Sequence, residues 1–289
     1  MLIDDVVAFC NQRYQNHTSA RTTCPNCSSH APCKHNCVDC LDDIHYHRNN
    51  VRTDYSCEHL LDAYECRYAY KYCSEIIHAL NTVEWDNYPQ LNVLSLGCGG
   101  APDLMAFNRL KLDNRVRYCG IDINHSWEAI HNFIEQQYGN DTVVFNRGVD
   151  VREYFMTNTI PNVNILCIEY LISIFFEEIG EAGVRRWFEN IAENIVAHKL
   201  PDTPMLIIIN DVDSYKTGRD TFRILKEVLE NRGFNILSER RLYFSDRSYY
   251  PDAKKHLSSR NCFVIPNDFV NTYHVAIRCS AAQLLLEVE

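Results

Sequence analysis

The residues best placed to do chemistry lie in Asn92–Asp103, which reads NVLSLGCGGAPD. Gly97, Gly99 and Gly100 give a turn free of Cβ atoms, which a ligand can approach closely. Val93, Leu94 and Leu96 ahead of it suit a strand covered on both faces. Ala101-Pro102-Asp103 after it suits a helix start, because a proline at the first helical position lacks only an N–H that would be unpaired anyway. Strand, glycine turn and helix together read as a nucleotide cradle. Gly97 and Gly99 fit the first two positions of the dinucleotide fingerprint G-x-G-x-x-G, but its third, where the helix must pack closely on the strand, is Pro102. The next strand, Arg115–Ile123, ends in Gly120-Ile121-Asp122. That places the Asp122 carboxylate where it can accept hydrogen bonds from both hydroxyls of a ribose.

A second constellation is CPNCSSHAPCKHNCVDCLDDIHYH, with two C-x-x-C hooks, Cys24/Cys27 and Cys37/Cys40, nine residues apart. A two-residue spacer lets both sulfurs of a hook meet one ion, and zinc takes four thiolate or imidazole ligands in a tetrahedron. Cys33, His45, His47 and Cys57 remain as further ligands, for a second ion or in place of a hook cysteine. The pairing stays open. Pro25, Ser28, Ser29 and Pro32 would not order this stretch alone, so a metal would supply its folding energy. The surplus of ligands favours a structural over a catalytic ion, since catalytic sites keep a position for water.

The glycine turn, Asp122 and the strands that follow resemble class I S-adenosylmethionine-dependent methyltransferases, over roughly Asn92 to Cys279. The resemblance implies that S-adenosylmethionine or S-adenosylhomocysteine binds at Gly97, Cys98, Gly99, Asp122, Ile123, Asp150, Val151 and Ile168. Asp150, after the third strand, matches the residue that meets the adenine amino group in that family; a helix N-cap is the alternative, and the two are compatible. Tyr68, Tyr72 and Glu75 stand just upstream of the first strand, where the family often carries a helix over the cofactor. Glu169, ending the fourth strand, is the candidate base if the acceptor must lose a proton, against a role as partner for the cofactor or a helix N–H. Glu169-Tyr170 replaces the Asp/Asn-Pro-Pro-aromatic motif of amino-directed nucleic-acid methyltransferases, and no Pro-Cys nucleophile for cytosine C5 chemistry occurs. Both DNA-base classes are disfavoured.

These residues need a scaffold, and 289 residues with 46% hydrophobic content supply one large domain with a small module. The alternation of strand and helix from Asn92 onward predicts an α/β, Rossmann-like, seven-stranded, mostly parallel sheet with helices on both faces. Residues 1–88 are expected to form an N-terminal zinc-binding helical module and residues 89–289 the methyltransferase domain. From Cys57 to Leu80, apolar and aromatic residues recur at helical spacing, Tyr64, Tyr68, Tyr72, Ile76 and Leu80 among them. Ser126–Tyr138 reads as a helix capped by Ser126. Val163–Glu169, Met205–Asn210, Phe234–Phe244 and Asn271–Cys279 read as the later strands, the last two an antiparallel pair at the sheet edge.

Without a basic leader or about eighteen consecutive apolar residues, the expectation is a cytoplasmic protein with no membrane partner. Fourteen cysteines without an export signal read as metal ligands and buried thiols. The net charge of −10, with 28 Lys and Arg against 38 Asp and Glu, gives no broad affinity for phosphate backbones. Arg240–Arg260 departs from that average, with six Lys or Arg against two Asp and with Tyr243, Phe244, Tyr249 and Tyr250 interleaved. Such a patch suits stacking on an unpaired base, so RNA is slightly favoured as acceptor over a protein or small molecule. The rival from another class is a non-catalytic, zinc-containing interaction protein on the same fold.

Overall fold

The computed structural model describes residues 1–20, 36–45, 55–139, 141–214, 217–244, 265 and 267–289. Among them, one sheet is built from β1 (Leu91–Leu96), β2 (Val116–Asp122), β3 (Val143–Arg147), β4 (Ile165–Glu169), β5 (Met205–Val212), β6 (Ile236–Tyr243) and β7 (Ala281–Val288). Its order is β3-β2-β1-β4-β5-β7-β6. The first five strands are parallel, and β7 runs antiparallel to both β5 and β6. The connection direction reverses at β1, with β2 on one side and β4 on the other. Open α/β sheets bind ligands beyond the strand ends at such a switch point.

Both faces of the sheet are covered, which is why its central strands read as unbroken apolar runs. Val93, Ile165, Cys167, Leu206 and Ile208 point into one layer, while Leu94, Leu96, Leu166, Ile168, Ile207 and Ile209 point into the other. The first layer is covered by α1 (Leu2–Ala20), α2 (Cys37–His45), α3 (Glu58–Leu80), α4 (Pro102–Arg109) and α5 (Glu128–Tyr138), with the short α9 (Asn267–Tyr273) beside them. The second is covered by α6 (Val151–Thr157), α7 (Ile172–Asn194) and α8 (Gly218–Asn231). α1 buries Ile3, Val6, Val7, Cys10 and Tyr14, a stripe at helical spacing. This stripe belongs to the same apolar cluster as the first sheet face, so residues on either side of Tyr88 share one core.

Two expectations need correction. Asn271–Cys279 is not a strand: it contributes the end of α9 and a loop, and the last strand is Ala281–Val288. Tyr273, Val275 and Cys279 alternate as strand residues do, but they are buried because they pack against the helical layer and the head of β7. Nor does Ser126 cap the second helix of the predicted domain. Asn124 accepts from the Ser126 N–H at 2.9 Å, and the Ser126 hydroxyl donates to the Ser56 carbonyl at 2.8 Å, tying the turn to the approach to α3. The antiparallel pairing of the last two strands holds, with β7 inside the sheet and β6 at its edge.

Candidate functional site

The glycine turn is fixed from below by the neighbouring strand. The Gly97 and Cys98 N–H groups both donate to the Ile121 carbonyl, at 2.9 and 3.2 Å. Gly97 (φ 67°) and Gly99 (φ 47°) sit in the left-handed region that glycine enters without a Cβ penalty. Asp122 closes the turn from the side: one carboxylate oxygen accepts from the Gly99 N–H at 2.9 Å and the other from the Asn124 N–H at 2.8 Å. Burial raises the Asp122 pKa, and the two backbone donors oppose that rise. A carboxylate has about four acceptor positions. Each oxygen therefore keeps capacity for a hydroxyl from the cavity that Asp122 lines.

His131 locks the other side of Gly99, with its Nε2 2.7 Å from the Gly99 carbonyl. Burial holds this imidazole neutral, its pKa pushed down to about 4. Arg147 Nε lies 3.3 Å from Nδ1, which assigns the hydrogen to Nε2 and makes the ring a donor to Gly99.

Above the turn is a cavity of about 930 Å³. It brings together Gly97, Gly99, Asp122, Ile123, Asp150, Val151 and Glu169. Cys98 and Ile168 are not among its lining residues; Cys98 is buried in the first apolar layer and Ile168 in the second. Asp150 is the N-cap of α6, accepting from the Arg152 N–H at 2.8 Å. The Arg152 guanidinium also grips both its oxygens and holds the carboxyl below its usual range.

The opposite wall comes from α3. Tyr64, Tyr68 and Tyr72 recur at four-residue spacing and line the cavity together with Lys71. Tyr64 meets Trp127 edge-on at 5.8 Å. Lys71 Nζ lies 4.7 Å from the Tyr72 ring centre and 4.9 Å from that of Tyr170, and it donates to the Tyr170 hydroxyl at 2.9 Å. That hydroxyl donates in turn to Glu75 at 2.8 Å. Tyr170 has φ 50°, an uncommon conformation for a bulky side chain, and such outliers concentrate at ligand sites. The position-only expectation for Tyr68 and Tyr72 thus finds both on the cavity, whereas Glu75 lies behind it. Lys71, Trp127, His131 and Arg152 carried no sequence motif that would have singled them out.

Glu169 sits at the carboxyl end of β4, 7% exposed. Neither of its oxygens has a side-chain hydrogen-bond partner among the described residues, while the Asp103 N–H at the start of α4 acts on it as a backbone donor. Burial pushes its carboxyl well above the usual range, and the charges of Asp103 and Glu75 push it further.

Of the seven expected zinc ligands, Cys24, Cys27 and Cys33 lie outside the described residues. Cys37 and Cys40 fall three apart on α2, His45 ends that helix, and Cys57 is the N-cap residue of α3. Among the described residues no group of three or more His, Cys, Asp or Glu side chains is arranged to hold a metal ion. Much of the basic, aromatic patch, including Tyr249, Tyr250, Lys254 and Lys255, is likewise outside them. Tyr243 and Phe244 are inside and correct the expectation of a stacking surface: they are 3% and 1% exposed, in the core. No helix of the described residues is long and apolar enough to cross a membrane.

No family model and no curated protein matches the chain. Solved structures resemble it at low identity. The bifunctional kinase-methyltransferase WbdD is 13% identical with a TM-score of 0.40, over 76% of this chain and 39% of that one. A SAM-dependent methyltransferase from Leishmania major is 8% identical with a TM-score of 0.42, over 77% and 73%. The cyclase SpnF is 15% identical with a TM-score of 0.41, over 74% and 78%. The chain spans only 39% of WbdD, and at these scores the site stands on its own geometry.

Proposed function

We propose that this chain is an S-adenosylmethionine-dependent methyltransferase. The observation that carries the reading is Asp122: it ends β2 at the switch point, braces the left-handed Gly99, and keeps acceptor capacity toward a cavity wide enough for a nucleoside. Gly97 and Gly99 would let the donor lie against bare backbone, Asp122 would hold the ribose hydroxyls, and Ile123 and Val151 would supply apolar surface to the base. Asp150, already engaged by Arg152, is the weaker adenine partner.

The donor brings an activated sulfonium methyl group. What remains for the protein is to align the acceptor, keep water away and take up a proton where the acceptor must lose one. Tyr64, Tyr68, Tyr72 and Trp127 line one wall of the cavity, and Glu169 is the base in reach. Calorimetry tests the reading: S-adenosylmethionine and S-adenosylhomocysteine bind at micromolar concentration and NAD does not. Silence toward both thio compounds would leave an interaction protein on a methyltransferase-like fold.

The structural zinc site remains a proposal supported by the spacing of Cys24, Cys27, Cys33, Cys37, Cys40, His45 and Cys57. Metal analysis of the native protein should find zinc, and finding none ends that proposal.

A further inference from the structure

The cavity divides along the sheet order. Asp122 stands on β2, so a ribose held there lies over the β3-β2-β1 side. The other half opens toward β4, β5 and the approach to β7, where Lys71, Tyr72, Tyr170, Val212 and Ser280 line it. Glu169, on β4, is at the boundary, where a methyl group would change hands. Its carboxyl oxygens are buried and have no side-chain partner among the described residues, the Asp103 N–H being the donor set against them. Leaving such a group unpaired is costly, so the site favours a ligand that pairs with it.

The surroundings specify the sign of that ligand. Glu65 and Glu75 on α3 and Asp103 on α4 are each 3% exposed or less and bring three more carboxyls to bear on Glu169. Glu75 is answered by Lys71 at 3.6 Å and by the Tyr170 hydroxyl. Asp103 is answered by the Tyr118 hydroxyl at 2.8 Å. Glu169 has no side-chain donor among the described residues and only the Asp103 N–H set against it. Tyr72 and Tyr170 add ring faces, which attract cations, and the Lys71 ammonium already lies against both.

We propose that the methyl acceptor of this site is an amine that arrives as an ammonium ion, with Glu169 as the group that takes its proton. This rests on the methyltransferase reading. One N–H proton passes from the ammonium to the Glu169 carboxylate, and the freed nitrogen lone pair forms the bond to the methyl carbon. The carbon–sulfur bond breaks with its electron pair staying on sulfur, which leaves a neutral thioether and a methylated ammonium. Acidity selects nitrogen over oxygen. An alkylammonium, whose pKa is about 10.4 in lysine, gives up its proton to a carboxylate far more readily than an aliphatic hydroxyl does. A carboxylate acceptor would bring a fixed negative charge beside four buried carboxyls.

The test uses the full chain saturated with S-adenosylhomocysteine and three probes of one skeleton: 2-phenylethylamine, 2-phenylethanol and 3-phenylpropionate. The amine should bind about tenfold or more tightly than either of the others, as one charge-assisted pair predicts. Glu169→Gln, which keeps the shape of the protonated acid, should erase that preference and leave S-adenosylhomocysteine binding intact. The inference falls if the alcohol or the carboxylate binds as well as the amine, or if no amine binding is measurable. It falls equally if Glu169→Gln keeps the preference, or if that variant loses S-adenosylhomocysteine affinity. The wild-type comparison decides even where the variant fails to fold. Wild-type protein that fails to bind S-adenosylhomocysteine would sink the methyltransferase reading first and separately.

Discussion

At Asp122 one carboxylate holds Gly99 in its left-handed conformation and, in the proposed function, offers its remaining lone pairs to a ribose. Asp122→Ala removes both. Each charge-assisted hydrogen bond is worth about 1.5–3 kcal/mol, so S-adenosylhomocysteine affinity should drop by more than about tenfold. An unchanged dissociation constant by calorimetry would place the nucleoside elsewhere. The proposed ribose role could be read from the sequence because strand, turn and spaced aspartate are all local. The bracing of Gly99 could not, because it depends on a backbone N–H twenty-three positions away in the chain. His131 shows the same limit: nothing in its helix signals that the ring will reach the Gly99 carbonyl.

Among the elements, α3 joins more of the fold than any motif announced, and Glu75 is its hub. This buried carboxylate accepts from the Tyr170 hydroxyl (2.8 Å), Asn210 Nδ2 (3.3 Å) and the Ser280 and Ala281 N–H groups (2.7 and 3.2 Å). It thereby ties α3 to the ends of β4 and β5 and to the start of β7. Glu75→Ala would strand several of these donors in the interior, at about 1–3 kcal/mol for each one left unpaired. Denaturant unfolding should show a loss of several kcal/mol, and a loss below about 1 kcal/mol would mean that water replaces the carboxylate. A lone Glu on an apolar helix face gives no such warning. The start of α7 was hidden for a similar reason. Asp211 on β5 caps the Ile172 and Ser173 N–H groups, so the helix begins at Ile172 and kinks at Gly180. The last strand was missed because Ala281–Val288, covered on both faces, lacks the alternation that Tyr273, Val275 and Cys279 happen to show.

For the whole molecule, buried ionisable groups set how stability depends on pH. Burial lowers His131 to about 4, so the unfolded chain takes up a proton below about 6.5 that the folded chain refuses. Stability is therefore lost as pH falls from there toward 4. Burial, aided by Asp62, raises Glu65 to about 8, so the folded chain keeps a proton that the unfolded chain releases above about 4.5. That contribution is lost as pH rises through 8, and Asp103, Asp211 and Glu169, all raised, act in the same direction. Melting temperature should decline on the alkaline side, and Glu65→Gln should flatten the decline between neutrality and pH 8. An alkaline limb with the same slope in that variant would assign the proton to another carboxyl.

The place of β7 also bears on how the molecule is made. Ribosomes release a chain from its first residue onward, and Ala281–Val288 follows both strands it must separate. Until it emerges, β5 shows an open edge, MLIIINDV, to whatever else is in the crowded cell, and β6 has no sheet to join. A nascent chain in that state is a template for pairing with its neighbours on the polysome. A released chain that stops before Ala281 should then go to aggregates or chaperones, while one that carries Ala281–Val288 should not.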